Sequence, residues 1–104
     1  MNIQKMMKEM QKVQGQMTKM QDDLKNHTLE TSVGGGKVVV TANGAGDVLS
    51  IKIDKAVVDP DDVEMLEDLV LSGVRKAIAD SKEYSSEQMN RISAGLGLPK
   101  GMGL

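Results

Sequence analysis

The chain has 104 residues, a formal net charge of −2, no cysteine, no phenylalanine, no tryptophan and one tyrosine. Without cysteine it forms neither disulfides nor thiolate metal sites, and no apolar stretch approaches the roughly 20 residues that span a bilayer. Because aromatic bulk is nearly absent, the core must use aliphatic side chains and methionine, and burial against a second copy is favoured. We therefore expect one small cytoplasmic domain without a membrane segment, and a homodimer.

The first helix is predicted over residues 2–26, and seven apolar residues on it follow one another at spacings of 3, 4, 3, 4, 3 and 4. We call these residues the seam: Ile3, Met6, Met10, Val13, Met17, Met20 and Leu24. A 3.5-residue period keeps a narrow stripe facing one partner helix along the whole length. We predict that the seam is the dimer interface. Too few opposite charges flank it to choose between parallel and antiparallel pairing.

Four lysines lie on the side of this helix that is turned away from the seam. We call them the basic ridge: Lys5, Lys8, Lys12 and Lys19. Such a row can hold phosphates, or it can be an ordinary solvated face, and the pattern by itself favours the solvated face.

Three short runs that favour β-structure follow, over residues 28–33, 37–43 and 47–54. Three consecutive glycines, Gly34 to Gly36, separate the first two runs, and an Asn-Gly-Ala-Gly segment separates the second from the third. Glycine and asparagine accept the positive φ angles of tight antiparallel turns, so we predict a three-stranded meander. In the third run Leu49, Ile51 and Ile53 alternate with Val48, Ser50 and Lys52, as in a half-buried strand.

A second helix is predicted to begin at Asp59, with Asp59 as the N-cap and Pro60 at the first helical position. Its apolar residues continue to Ile92, and Gly95 is expected to end it. Residues 95–104 alternate glycine with leucine and methionine, which predicts a flexible C-terminal tail after a single domain over residues 1–94.

The chain carries no convincing catalytic, metal or cofactor pattern. The glycines before Lys37 lack the first glycine and the Ser or Thr of a phosphate-binding loop. Asp59, Asp61 and Asp62 are explained by helix capping, because Glu64 stands where a calcium loop needs glycine. His27 is the only histidine and has no acid pair nearby. We expect no enzyme, no cofactor and no small-molecule substrate.

The assembled pattern closely resembles the YbaB/EbfC family of small bacterial nucleoid-associated proteins over nearly the whole chain. The resemblance is carried by the Met- and Gln-rich residues 6–11, the segments 36–44 and 49–54, the run 67–70, and Gly95-Leu96 with Pro99. It implies an α+β fold with an α-β-β-β-α subunit, and a tweezer-like homodimer in which the sheets are joined. It also implies binding of duplex DNA with little sequence preference.

With DNA as the implied partner, the basic ridge becomes the first candidate for phosphate contact. Four basic residues of the second helix are further candidates for phosphate contact: Arg75, Lys76, Lys82 and Arg91. Asp80, Glu83 and Glu87 lie among these and are expected to repel phosphate. The predicted function is a nucleoid-associated protein that changes DNA conformation or nucleoid organisation. The alternative is a protein-interaction or scaffold module that uses the seam and the C-terminal tail.

Overall fold

The computed structural model describes residues 2–95 of the chain. Its elements are, in order, α1 (Ile3–Asn26), β1 (Thr28–Val33), β2 (Val38–Asn43), β3 (Val48–Ile53), a short 3-10 helix (Lys55–Val57) and α2 (Val63–Gly95). The strands form one antiparallel sheet in the order β1-β2-β3. The predicted α+β class and the α-β-β-β-α order are confirmed. The tail predicted over residues 95–104 lies outside the described residues, except for Gly95, which ends α2.

Both helices are capped by a polar side chain, but α2 begins later than predicted. The Asn2 side chain accepts a hydrogen bond from the Lys5 amide at 3.2 Å, so α1 starts where the sequence indicated. At α2, Asp59 instead accepts from the Asp61 amide and closes a turn. Asp62 caps the helix by accepting from the Met65 amide at 3.2 Å. The prediction of Asp59 as N-cap was therefore wrong, because an Asp-Pro-Asp-Asp sequence suits a turn as well as a helix start.

The core lies between β2 and α2. Val38, Val40 and Ala42 are fully buried, and Ala77 of α2 packs on them together with half-buried apolar neighbours. A Cβ added at Gly73 would lie 3.0 Å from Val40 and 3.3 Å from Val33, so the missing side chain lets α2 approach the sheet closely. This approach fixes the position of α2 over β1 and β2.

The third strand is not covered by α2. Ile51 and Ile53 pair with Val40 and Val38, so they share the buried face of the sheet, yet they are 41% and 40% exposed. A register shift at Thr41/Ala42 places Val48 opposite Ala42. The predicted strand is confirmed, but its apolar side chains are left open along an edge of the sheet.

The two helices extend well beyond the sheet, and the molecule measures 72 × 22 × 16 Å. The second half of α1 packs within the protomer, where Met20 and Leu24 of the seam are 7% and 6% exposed. Gln16 and Gly95 line the same cavity between the helices, whereas Leu24 and Tyr84 meet at Gly44. The helices therefore run antiparallel, and α2 ends beside the middle of α1.

Gly44 is the point at which α1, the β2–β3 turn and α2 come together. Its amide donates to the carbonyl oxygens of Leu24 at 2.8 Å and His27 at 3.0 Å. The Ser81 hydroxyl donates to the carbonyl of the preceding residue, Asn43, at 2.7 Å. These bonds attach both helices to one turn of the sheet.

We expect Gly44→Ala to destabilise the fold by about 1–3 kcal/mol, which is the usual cost of overpacking. The added Cβ would lie 2.9 Å from the Leu24 carbonyl oxygen and 3.0 Å from the side chains of Leu24 and Tyr84. Thermal unfolding followed by circular dichroism measures the effect. The matched control is Gly15→Ala in α1, where nothing lies within 4 Å. It should stabilise by up to about 1 kcal/mol through helix propensity, and equal effects at the two sites would contradict the close approach at Gly44.

Candidate nucleic-acid interface

The basic ridge follows one side of α1. Lys5, Lys8, Lys12 and Lys19 are all exposed, and α1 is helical without interruption between them. At 100° per residue they fall within an arc of about 60°, and at 1.5 Å per residue they span roughly 21 Å. The ridge therefore presents four cations in one direction along a rod.

No ridge lysine forms an ion pair within residues 2–95. In that part of the chain the single ion pair joins Lys37 to Asp54, with 3.5 Å between Nζ and Oδ2. The Ala56 amide, and next the charge of Lys37, hold the pKa of Asp54 below its usual 3.8. Stability from this carboxylate is present above its unfolded pKa and is lost as the pH falls through the lowered folded value. Both partners are nearly half exposed, so that contribution is small.

The seam is divided by the structure into two parts. Met20 and Leu24 are buried and Met17 is half-buried in the region where α1 packs beside α2. Ile3, Met6, Met10 and Val13 remain exposed, and so does the neighbouring Met7. Lys5, Lys8 and Lys12 point away from both parts, so they are available whichever surface covers the seam. Lys19 is exposed as well, but it also lines the cavity between α1 and α2.

The four basic residues of α2 are all exposed but do not form one group. Arg75 and Lys82 are seven residues apart and fall within about 20° of each other around the helix. Their side of α2 carries no acidic residue between them. Lys76 and Arg91 instead lie on the side that holds Asp80, Glu83 and Glu87.

Asp80 does not lie open to solvent as the sequence suggested. Its carboxylate accepts a hydrogen bond of 2.7 Å from the hydroxyl of Thr31, a buried residue of β1. The acid therefore ties α2 to the sheet, and its repulsion of an approaching phosphate is weaker than that of an exposed carboxylate.

The histidine and the aspartates that were considered as catalytic or metal-binding candidates make contacts within the fold. The His27 ring stacks on the Tyr84 ring with centroids 4.1 Å apart and planes 6° apart. Asp59 and Asp62 accept from backbone amides, as described above. Within residues 2–95 no helix is long and apolar enough to cross a membrane, and no group of three or more acidic or histidine side chains is placed to hold a metal ion.

Sequence reasoning missed one surface. Ile53 of β3 lines a groove with four apolar residues of α2: Leu66, Val70, Leu71 and Val74. Leu71 is 48% exposed, and β3 has no partner on its outer edge within the described residues. We call this surface the β3–α2 face. The alternation in β3 predicted a buried side, but no local pattern showed that α2 would leave it uncovered.

The model of the YbaB/EbfC DNA-binding family matches residues 1–96. The chain belongs to this family. It is 46% identical over 101 residues to a nucleoid-associated protein of Ruminiclostridium cellulolyticum, covering 97% of this chain and 88% of that one. A nucleoid-associated protein of Moorella thermoacetica is 49% identical over 98 residues, with 94% of each chain covered.

The fold of this YbaB/EbfC protein also matches a solved structure. The crystal structure of uncharacterized protein HP0035 from Helicobacter pylori superposes with a TM-score of 0.68 at 19% identity, over 92% of this chain and 97% of that one. At this identity the match shows the fold. The resemblance inferred from the sequence is thus confirmed for the family and the subunit, while the side chains that contact DNA stay a prediction.

Proposed function

We propose that the protein binds duplex DNA with little sequence preference through the basic ridge and thereby alters DNA conformation or nucleoid organisation. The observation that carries this proposal is the ridge itself: four exposed lysines in one narrow arc, none of them ion-paired within residues 2–95. Cations on a rigid helix neutralise phosphates and release the counterions condensed on the duplex. Membership of a DNA-binding family whose relatives are named nucleoid-associated proteins supports the same partner. The working location is accordingly the nucleoid, within the cytoplasm.

The mode of binding follows from which side chains are available. Single strands and RNA loops are held by stacking bases on aromatic rings, but the only aromatic residue, Tyr84, stacks on His27. Direct base reading needs a short recognition helix with polar side chains at its tip, whereas the ridge runs along the side of a long helix. Contact with the sugar-phosphate backbone remains, so sequence preference is weak.

The α2 residues contribute unequally to the proposed surface. Arg75 and Lys82 share a side of the helix that carries no acidic residue between them, and they extend the proposed phosphate-binding surface. Lys76 and Arg91 also belong to the proposed phosphate-binding surface. Glu83 and Glu87 lie on the same side of α2 and reduce the attraction of Lys76 and Arg91 for phosphate.

The proposed binding unit is a homodimer formed through the β3–α2 face. Antiparallel pairing of two β3 edges would join the sheets, satisfy the free edge and bury the exposed Ile51 and Ile53. The groove residues of α2 would cover the same apolar patch from the flank. Such a dimer carries two basic ridges on helices that project beyond the joined sheet, which is the tweezer-like arrangement that the resemblance implies.

Under this proposal, only part of the predicted seam stays free to contact a second copy. Met20 and Leu24 are buried against the chain's own α2 region and offer little to a second copy. The exposed half, from Ile3 to Val13, stays available for a contact between copies. The alternative function as a scaffold module would have to use that same half.

A salt series tests the function. If the dimer neutralises about 4 to 8 phosphates, the logarithm of the association constant should fall against the logarithm of the salt concentration with a slope of roughly −4 to −7. The measurement is fluorescence anisotropy with a fixed duplex, repeated with a scrambled duplex of equal length. The two slopes and affinities should agree. A flat salt dependence, or strong preference for one sequence, would contradict backbone binding.

A further inference from the structure

The first half of α1 carries an apolar stripe that the protomer does not cover within residues 2–95. We call Ile3, Met6, Met10 and Val13 the exposed stripe, and their exposed fractions lie between 38% and 69%. The stripe continues the seam beyond Gln16, the level at which α2 ends. In the other half of the same seam, Met20 and Leu24 are already buried where α1 packs beside α2. One half of the seam is therefore covered within the protomer, and the other half has no partner within residues 2–95.

The spacing and residue types of the exposed stripe read the same in both chain directions. Its spacings are 3, 4 and 3, with β-branched residues at both ends and methionines in the middle. An antiparallel second copy would place Ile3 opposite Val13 and Met6 opposite Met10. Two identical helices can thus fill one another's contact sites about a two-fold axis, which is the requirement for a closed contact between copies.

The charges around the stripe permit this contact but keep it weak. Lys5, Lys8 and Lys12 point away from the stripe, and the side positions hold Met7, Gln14 and Glu9. At the two-fold axis the Met7 side chains would meet on one side and the Glu9 carboxylates on the other. Lys5 and Lys12 neighbour Glu9 at one helical turn and offset part of that repulsion. The six ridge lysines of the paired segments also repel one another in solution.

The size of the stripe sets the conditions under which it can act. Eleven residues span about 15 Å along the helix, and two such stripes would bury on the order of 500 Å², roughly half of what a stable interface needs. A contact of this size forms when the partners are already held side by side. Neighbouring dimers on one duplex meet that condition, and bound phosphates cancel the repulsion between their ridges.

We propose that the exposed stripe joins the α1 helices of neighbouring dimers in antiparallel pairs, so that the protein fills a duplex cooperatively. The occupant of the stripe is a second copy of this chain from another dimer. The proposal rests on the proposed DNA binding but adds a contact that is separate from the β3–α2 face.

Cross-linking tests the pairing, because the native chain has no cysteine. Chains with Met6→Cys and chains with Met10→Cys are prepared separately and then mixed on a long duplex under mild oxidation. The antiparallel register predicts that the mixture forms disulfide-linked pairs roughly tenfold faster than either variant alone, and faster with duplex than without it. Equal rates in all three samples, or the fastest cross-linking in a single variant, would overturn the antiparallel register.

Cooperativity supplies the second readout. Met6→Gln with Met10→Gln should remove the sigmoidal filling of a long duplex while leaving the affinity for a duplex that holds one dimer unchanged. Gln4→Ala with Gln11→Ala is the matched control on the outer side of the same helix and should keep the sigmoidal curve. Unchanged cooperativity in the methionine variant would overturn the proposal, and so would capture of the stripe by another protein or by the chain's own C-terminal segment.

The short duplex separates this inference from the proposed function. If the native protein does not bind a duplex that holds one dimer, the proposed DNA binding is refuted. The cysteine mixture would then be measured in concentrated protein at high salt, where the lysines are screened. If the mixture cross-links faster than either variant alone under these conditions, the contact between exposed stripes is still supported. Equal rates would refute that contact.

Discussion

Changing the four ridge lysines to glutamine should lower the affinity for a fixed duplex by about 10³-fold at 0.1 M salt. The variant carries Lys5→Gln, Lys8→Gln, Lys12→Gln and Lys19→Gln, and glutamine preserves helix propensity. The proposed dimer loses eight lysines in this variant, and at about eightfold for each phosphate contact at this salt concentration, the loss of four contacts among them already gives the expected factor. The salt dependence should flatten in parallel, since fewer counterions are released. Anisotropy titrations at several salt concentrations give both quantities.

The control must change net charge by the same amount elsewhere. Four exposed lysines outside the ridge serve this purpose: Lys25, Lys37, Lys52 and Lys55. Changing them to glutamine should cost far less affinity and leave most of the slope. Of these four, Lys37 forms the exposed ion pair with Asp54, whose loss is worth little. Full affinity in the ridge variant, or equal losses in both variants, would refute the ridge as the binding surface.

Disrupting the β3–α2 face should convert the protein to monomers. Ile53→Thr and Leu71→Gln replace two groove-lining apolar residues without adding charge. By two-fold symmetry each change occurs twice in the dimer. At about 1 kcal/mol for each half-exposed site, the loss is roughly 4 kcal/mol, or about 10³-fold in the dimer dissociation constant. Sedimentation velocity over a range of concentrations measures it.

The same variant should also change DNA binding in a defined way. A monomer carries one basic ridge instead of two, so its salt slope should be about half that of the native protein. Ser50→Thr with Ala79→Gln is the matched control, since both residues are exposed and neither lines the groove. It should remain dimeric with the native slope. A groove variant that stays dimeric at low concentration would place the dimer interface elsewhere, with the exposed part of the seam as the first candidate.

Local patterns predicted the elements well because local chemistry determines them. The strands were located to within a residue, since glycine-rich turns and alternating apolar residues fix where a strand can begin and end. The start of α2 was missed by three residues because Asp59 and Asp62 have the same capping chemistry, and only the hydrogen bonds distinguish them. The four ridge lysines were predicted to share one side of α1, and the uninterrupted helix places them there, while their contact with phosphate stays a prediction.

Tertiary arrangement was harder to predict. The heptad spacing predicted that the seam packs against a helix of a second copy, which stays a prediction, and it could not show that Met20 and Leu24 would be buried within the protomer. The open groove beside β3 depends on α2 covering two strands of three, which no residue of β3 reveals. Asp80 looked like a solvent-facing acid, and its bond to Thr31 joins residues 49 positions apart. Such long-range pairings are decided by how the helix lies on the sheet.

The junction at Gly44 determines the direction in which α1 leaves the sheet. The first helix is pivoted at its inner end by two hydrogen bonds to one amide, and its free end lies about 36 Å away. A tilt of about 5° at that junction would displace the far end by about 3 Å, close to the axial spacing of about 3.4 Å between successive phosphates on one strand. In the proposed dimer, a change at Gly44 would therefore alter the distance between the outer ends of the two α1 helices, and we expect it to change the curvature of the bound duplex before it changes the affinity.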